Sequence, residues 1–238
     1  MILPENTAVI FDFDSTIIDS ESLERLADYA LIDNPRRQEI IKDVVNITNQ
    51  CMRGEISFDV SLSKRLELIS LNAHHVAILQ NEVMTHISKS FIRNIEYINN
   101  NKDQLFVISG GFKEIILPVS QSLGLLDAHV FANEFVFEGE NIVGVNTNNP
   151  LSQAGGKIAA AKIVAESFPQ IVMVGDGYTD YTVKEAGIAE LFIAYTEFTA
   201  RDAVVRVADK IASSFDGVIG LVDQYTKNKG GDSRWKDL

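Results

Sequence analysis

Short apolar runs that each end in an acidic or glycine-rich turn recur through this chain with helix-length segments between them, and that spacing constrains the fold most. Ala8-Val9-Ile10-Phe11 runs into Asp12, Leu105-Phe106-Val107-Ile108 into Ser109-Gly110-Gly111, and Ile171-Val172-Met173-Val174 into Gly175-Asp176-Gly177. Leu191-Phe192-Ile193-Ala194 is a fourth run and Lys210-Ile211-Ala212 a fifth, edge-like one. Unbroken apolar runs of this length fit strands buried on both faces of a parallel sheet. Lys113–Leu123, Lys157–Ser167 and Thr182–Ala186 have helical periodicity, and Pro118 is a candidate kink in the first of them. The alternation predicts a doubly wound α/β sheet, whose ligands bind beyond the carboxyl ends of the strands.

About ninety residues separate the first run from the second, far more than the roughly ten to twelve a crossover needs. Ser22–Ala30, Arg36–Met52, Ser57–Ile69 and His74–Ser88 read as helices there, broken at Asn34-Pro35 and Arg53-Gly54-Glu55. The expected organisation is a core of residues 1–19 and 90–226, an inserted helical cap of residues 20–89 over the strand ends, and a flexible polar tail, 227–238. Phe135–Phe137 and Ile142–Val145 flank Glu138-Gly139-Glu140-Asn141 as a hairpin.

The charge balance is −12, from 21 Lys and Arg against 33 Asp and Glu. A field of that sign repels phosphate backbones and anionic lipid, so neither nucleic acid nor membrane is an expected partner. The lone Cys51 can form no internal disulfide and reads as inert core. The first residues have no basic n-region, and no stretch approaches the roughly eighteen apolar residues of a spanning helix. The expected location is the cytoplasm.

Asp12 and Asp14 stand two apart at the first strand end, so their carboxylates can share one face. Two acids that close repel unless a cation or a proton lies between them, which points to a hard divalent ion and acid–base work. Taken alone, Asp14-Ser15-Thr16 reads equally well as turn and helix-cap chemistry. Asp176 and Asp180 add two carboxylates on a glycine turn. Ser109-Gly110-Gly111 offers a hydroxyl and N–H groups to an anion, although an ordinary strand-to-helix turn explains that tripeptide by itself. Lys157 follows Gly155-Gly156 at a helix start, where a cation opposes the macrodipole. Gly156-Lys157 lacks the earlier glycine of a Walker A loop, and Gly175-Asp176-Gly177 lacks the third glycine of a dinucleotide fingerprint.

With these residues in chain order at successive strand ends, the sequence resembles the haloacid dehalogenase superfamily, whose first motif, Asp-x-Asp-x-Thr/Val, stands here as Asp12-Phe13-Asp14-Ser15-Thr16. Ser109 to Phe112, Gly155 to Lys157 and Gly175 to Asp180 look like its phosphoserine phosphatase branch. The resemblance implies a Rossmann-like α/β core with an inserted helical cap, and a Mg²⁺-dependent phosphomonoesterase. Asp12 is then the nucleophile that becomes an aspartyl-phosphate, and Asp14 the general acid and base. Ser109, Gly110 and Lys157 bind phosphate. Asp12, the Asp14 carbonyl and Asp176 hold the metal, with Asp180 ordering that shell.

By the same resemblance Glu21 meets the substrate ammonium group and Arg65 its carboxylate, with Met52, Phe58, Gly111 and Thr179 completing the pocket. The implied substrate is a small phosphorylated molecule, O-phospho-L-serine foremost, with another small phosphorylated metabolite as the alternative. From residue type alone, Arg65 reads as a helix-surface residue and Glu21 as an early-helix acid. Phe192–Phe198 departs from what the branch leads one to expect, and Tyr178 and Tyr181 make the acidic loop bulky. A non-enzymatic phospho-accepting signalling module also joins acids, magnesium and a lysine on a parallel sheet, but such modules are about half this length and usually lack a large cap.

Overall fold

The computed structural model describes residues 2–230. Strand β1 (Thr7–Phe11) leads into helices α1 (Ser22–Ala30), α2 (Arg37–Met52), α3 (Phe58–Leu68), α4 (Ala73–Glu82), α5 (Lys89–Arg93) and α6 (Ile95–Asn101). Strand β2 (Leu105–Phe112), helix α7 (Lys113–Ser122), strand β3 (Val130–Asn133) and the hairpin β4 (Phe135–Glu138) and β5 (Asn141–Val145) follow. The chain then alternates through α8 (Gly156–Ala165), β6 (Gln170–Gly175), α9 (Tyr178–Glu185), β7 (Leu191–Tyr195), α10 (Asp202–Val205), β8 (Lys210–Ala212) and α11 (Phe215–Gly230).

The main sheet has the order β3-β2-β1-β6-β7-β8, and its neighbours pair in parallel. Each β1 residue is buried, and alternate residues serve different layers: Val9 and Phe11 pack with the cap and α11, Ala8 and Ile10 with α8 and α9. Phe11 sits edge-on to Phe91 and Phe215, with both ring centroids 5.5 Å away. The strand order reverses between β1 and β6, so the crevice such sheets use for ligands opens beside Asp12 and Asp176.

The cap joins the core through two segments that lie side by side. Ile18 and Ile87 form an antiparallel bridge, Asp19 N–H donates to the His86 carbonyl at 3.0 Å, and Ser88 N–H donates to that of Ile17 at 2.9 Å. A second attachment lies on the α4 side: Ala73 N–H donates to the Glu140 carbonyl at 2.8 Å and Ile142 N–H to that of Leu71 at 3.1 Å, tying the hairpin to the cap. Helix α7 runs through Pro118. Proline has no N–H for the carbonyl four residues back, and the Gln80 side-chain amide of α4 donates to that carbonyl, on Glu114, at 2.7 Å.

Several elements differ from the sequence expectation. The helix expected over His74–Ser88 ends at Glu82 and tightens into a 3₁₀ turn, Val83–His86, because Ile87 must be extended to bridge Ile18. Helix α9 begins at Tyr178 rather than Thr182, since the Asp180 carboxylate accepts the Gly177 N–H at 3.0 Å and caps it. Strand β3 and helices α5, α6, α10 and α11 are additions. The tail expected from Lys227 is helical as far as Gly230, where Lys227 pairs with Asp223 and Lys229 with Glu190. Residues 231–238, including Trp235, lie outside the described residues. Among the described residues no helix is long and apolar enough to cross a membrane.

Candidate active site

The turn after β1 aims the first two acids. Ser15 adopts a left-handed conformation at φ +52°, the one non-glycine residue among those described to do so, a backbone cost that surrounding contacts must offset. Its hydroxyl donates to Glu21 Oε1 at 2.9 Å and its N–H to the Ser20 carbonyl at 3.2 Å. Asp12 is buried; its Oδ1 accepts the Phe13 N–H at 2.7 Å and its Oδ2 lies 2.7 Å from Lys157 Nζ. Asp14 Oδ2 accepts the Ser22 hydroxyl at 2.8 Å, whereas Oδ1 is buried with no hydrogen-bond partner among the described residues. Burial first, then the charge of Glu21, pushes the Asp14 carboxyl well above the usual range.

Lys157 bridges Asp12 and Asp180, reaching Asp180 Oδ1 at 2.5 Å. Burial works against its charge, but Asp12 and Asp180 outweigh it and hold the ammonium group above the ordinary lysine range. Gly175 leaves room for the Asp180 carboxylate where any side chain would collide with it.

Carboxylate oxygens of Asp12, Asp176 and Asp180 lie within 4.8 Å of one another, all three residues buried. Asp180 has both oxygens engaged, by Lys157 and by the Gly177 N–H. Asp176 Oδ1 is buried with no hydrogen-bond partner among the described residues. An all-oxygen acidic set with an orphaned carboxylate oxygen fits a hard divalent cation. The buried acidic cluster is therefore a candidate metal centre.

Above it lies a narrow cavity of about 30 Å³, room for a water or two rather than for a metabolite. From the core, Asp12, Asp14, Ser109, Gly110, Gly111, Lys157 and Thr179 line it; from the cap side come Glu21, Met52, Phe58 and Arg65. The structure thus gathers eleven of the thirteen candidates around one space and sets the other two, Asp176 and Asp180, beside Asp12. The Ser109 hydroxyl accepts the Gly111 N–H at 2.9 Å. A methyl group on Gly110 would sit 2.5 Å from the Phe58 ring, so glycine is what lets the cap close here.

Arg65 is 6% exposed. It donates to the Ser61 carbonyl at 3.3 Å and to Thr48 Oγ1 at 3.4 Å, and no carboxylate stands within ion-pair distance of it among the described residues. Burial pulls the guanidinium below its usual range while Glu21, Cys51 and Glu24 favour its charge.

Sequence reasoning missed Arg201, on the segment after β7. Its side chain, 9% exposed, places Nη2 3.5 Å from Glu21 Oε1 and pairs Nη1 with Asp176 Oδ2. No motif spacing ties Arg201 to Asp176; only the sheet order brings them together.

Glu24 of α1 faces the same cap interior, and burial, then Glu21, pushes its carboxyl up to about 7. The folded chain therefore holds this proton more tightly than the unfolded chain. The resulting stability is fully present below the unfolded value of about 4.5 and is lost as pH rises towards about 7. Glu24→Gln is expected to gain up to about 3 kcal/mol over the parent in urea unfolding at pH 8, and little at pH 4.5.

Residues 9–183 match the family model described as haloacid dehalogenase-like hydrolase. The phosphoserine phosphatase of Bos taurus is 31% identical over 221 residues, covering 91% of this chain and 93% of that one. The chloroplastic phosphoserine phosphatase of Arabidopsis thaliana is 30% identical, covering 91% of this chain and 72% of that one. Among solved structures, a phosphoserine phosphohydrolase-like protein from Francisella tularensis subsp. tularensis SCHU S4 superposes with a TM-score of 0.82 at 29% identity, covering 90% of this chain and 99% of that one. These likenesses set aside the signalling-module alternative. The chain belongs to the haloacid dehalogenase-like hydrolase family, in its phosphoserine phosphatase branch, and is a phosphoric monoester hydrolase.

Proposed function

We propose that the substrate is O-phospho-L-serine, hydrolysed to L-serine and phosphate, with residues 20–89 acting as the cap that reads the amino-acid end. The observation that carries this reading is Arg65, a buried guanidinium without a carboxylate partner among the described residues, on the same narrow cavity as Glu21. A buried charge is retained when something completes it, and a substrate with both a carboxylate and an ammonium group complements this Arg–Glu pair. The phosphoserine phosphatase relatives support the same reading.

In this scheme an Asp12 carboxylate oxygen attacks phosphorus, and the bond to the serine oxygen breaks as that oxygen takes the Asp14 proton. The raised Asp14 carboxyl and its free Oδ1 suit that donation. Asp14 then removes a proton from the water that attacks the aspartyl-phosphate, releasing phosphate and restoring Asp12. Ser109 and Gly110 hold the phosphoryl oxygens, and Lys157 neutralises charge on them. Mg²⁺, held by Asp12, Asp176 and the Asp14 carbonyl, would supply further positive charge when bound; Asp180 keeps Lys157 in place.

The test is steady-state kinetics on phosphoserine, phosphothreonine, sugar phosphates and p-nitrophenyl phosphate with Mg²⁺. Phosphoserine is expected to give the highest kcat/KM, and a clear win for another ester overturns the substrate assignment. Removing divalent ions with a chelator is expected to cut turnover by about 10³-fold or more, since several kcal/mol of charge stabilisation goes with them. Re-addition of Mg²⁺ should restore it, and undiminished turnover in chelator would remove the metal from the scheme.

A further inference from the structure

The segment between β7 and α10 carries Arg201, and its anchorage lies away from the reacting atoms. Glu197 is half-buried and gathers hydroxyl donors from two other parts of the chain. Ser88 Oγ donates to it at 2.9 Å, Ser90 Oγ at 2.8 Å, and the Tyr195 hydroxyl also donates to it. The donors are themselves fixed. Ser88 Oγ accepts the Ser90 N–H at 3.0 Å as the cap of α5, and Ser90 Oγ accepts the Phe215 N–H at 2.9 Å at the start of α11. The Tyr195 phenol, raised by burial and then by the bond to Glu197, is protonated at neutral pH, as an ordinary phenol is, and donates.

Ser88 is also where the cap rejoins the core, through its N–H to the Ile17 carbonyl. Four residues beyond Glu197, Arg201 pairs with Asp176 through one guanidinium nitrogen and reaches Glu21 with the other. One carboxylate thus stands between the segment by which the cap rejoins the core and the cation that faces the Glu21 side of the pocket. Charge-assisted bonds to several hydroxyls are strong enough to set the course of a short segment, and a guanidinium 1 Å out of place no longer orients its partner.

The geometry points to Glu197 as a positioning residue for substrate recognition: it fastens the Arg201 segment to Ser88 and Ser90, so that Arg201 holds Glu21 in register with the ammonium group of the substrate. This rests on the phosphoserine reading above. Glu197 touches neither substrate nor reacting atoms and acts through Arg201.

The test measures kcat and KM on phosphoserine and on p-nitrophenyl phosphate, which lacks the ammonium group, for Glu197→Ala, Glu197→Gln, Arg201→Ala and the Glu197→Ala/Arg201→Ala double variant. Glu197→Ala is expected to raise KM for phosphoserine about tenfold, as for the loss of a charged hydrogen-bonded contact. Its kcat on phosphoserine and both constants on p-nitrophenyl phosphate should stay within about threefold of the parent. Glu197→Gln, which keeps an acceptor for the hydroxyls, is expected to recover most of the loss. In the Arg201→Ala background, Glu197→Ala should add little, the mark of two residues acting in series. Equal losses on both esters in Glu197→Ala, or losses that add in the double variant, overturn the proposal. If Arg201→Ala raises KM for phosphoserine and Glu197→Ala does not, the anchor role alone fails. If Arg201→Ala leaves both esters unchanged, the reading of the pocket fails and the anchor role with it.

Discussion

Asp12→Asn is expected to lower kcat on phosphoserine by at least about 10⁴-fold, because it removes the proposed nucleophile rather than a contact that assists it. The fold should survive. Lys157 keeps Asp180 at 2.5 Å when Asp12 is gone, so the buried ammonium group is not left without an anion, the condition that makes breaking a buried pair costly. The check is phosphate release at saturating Mg²⁺ alongside circular dichroism. A companion measurement is mass spectrometry of rapidly quenched parent enzyme, in which the phosphoryl adduct should map to Asp12. A folded Asp12→Asn that retains activity within about tenfold, or an adduct on another residue, rules out the scheme.

Arg65→Ala is expected to cost about 10²- to 10³-fold in kcat/KM on phosphoserine, the loss typical of truncating one side of a buried, hydrogen-bonded charge pair. On p-nitrophenyl phosphate, which has no carboxylate, the change should be under about tenfold. The contrast between esters is informative because Arg65 has no structural ion pair to lose: its bonds to Ser61 and Thr48, at 3.3 and 3.4 Å, are long. Arg65→Lys should recover only part of the loss, since an ammonium group cannot reproduce a planar fork on a carboxylate. Equal losses on the two esters would make Arg65 a packing residue and take away the main support for an amino-acid substrate.

The acidic pair, the Ser-Gly-Gly turn, Lys157 and the second acidic loop were legible because each sits in or beside a recurring turn pattern, and a doubly wound sheet sends such ends to one edge. The cap was legible as an excess of chain with helical periodicity. Strand β3 was not, since its four residues end in Asn133 and its pairing with β2, not its own pattern, makes it a strand. The start of α9 was hidden because Gly-Tyr-Thr-Asp has turn composition, and only the Asp180 side chain reaching back to Gly177 makes it a cap. Arg201 left no local signature: it lies three residues beyond Phe192–Phe198, the segment whose departure from the branch was visible, and its partners Glu21 and Asp176 come from distant parts of the chain.

The attachments of the cap are unevenly distributed, and this bears on how a metabolite gains entry. The Asp19–His86 and Ser88–Ile17 bonds, the hairpin bonds at Leu71 and Ala73, and the Gln80 bond to the carbonyl that Pro118 leaves free all flank α4. Residues 37–68, which present Met52, Phe58 and Arg65, make no backbone hydrogen bond to the core among the described residues. Swinging the cap away whole would sever the hairpin bonds, whereas raising α2 and α3 about a stationary α4 severs none of them. Admission by that route is a flap's motion rather than a door's, and the side chains proposed to discriminate between esters are the ones that travel.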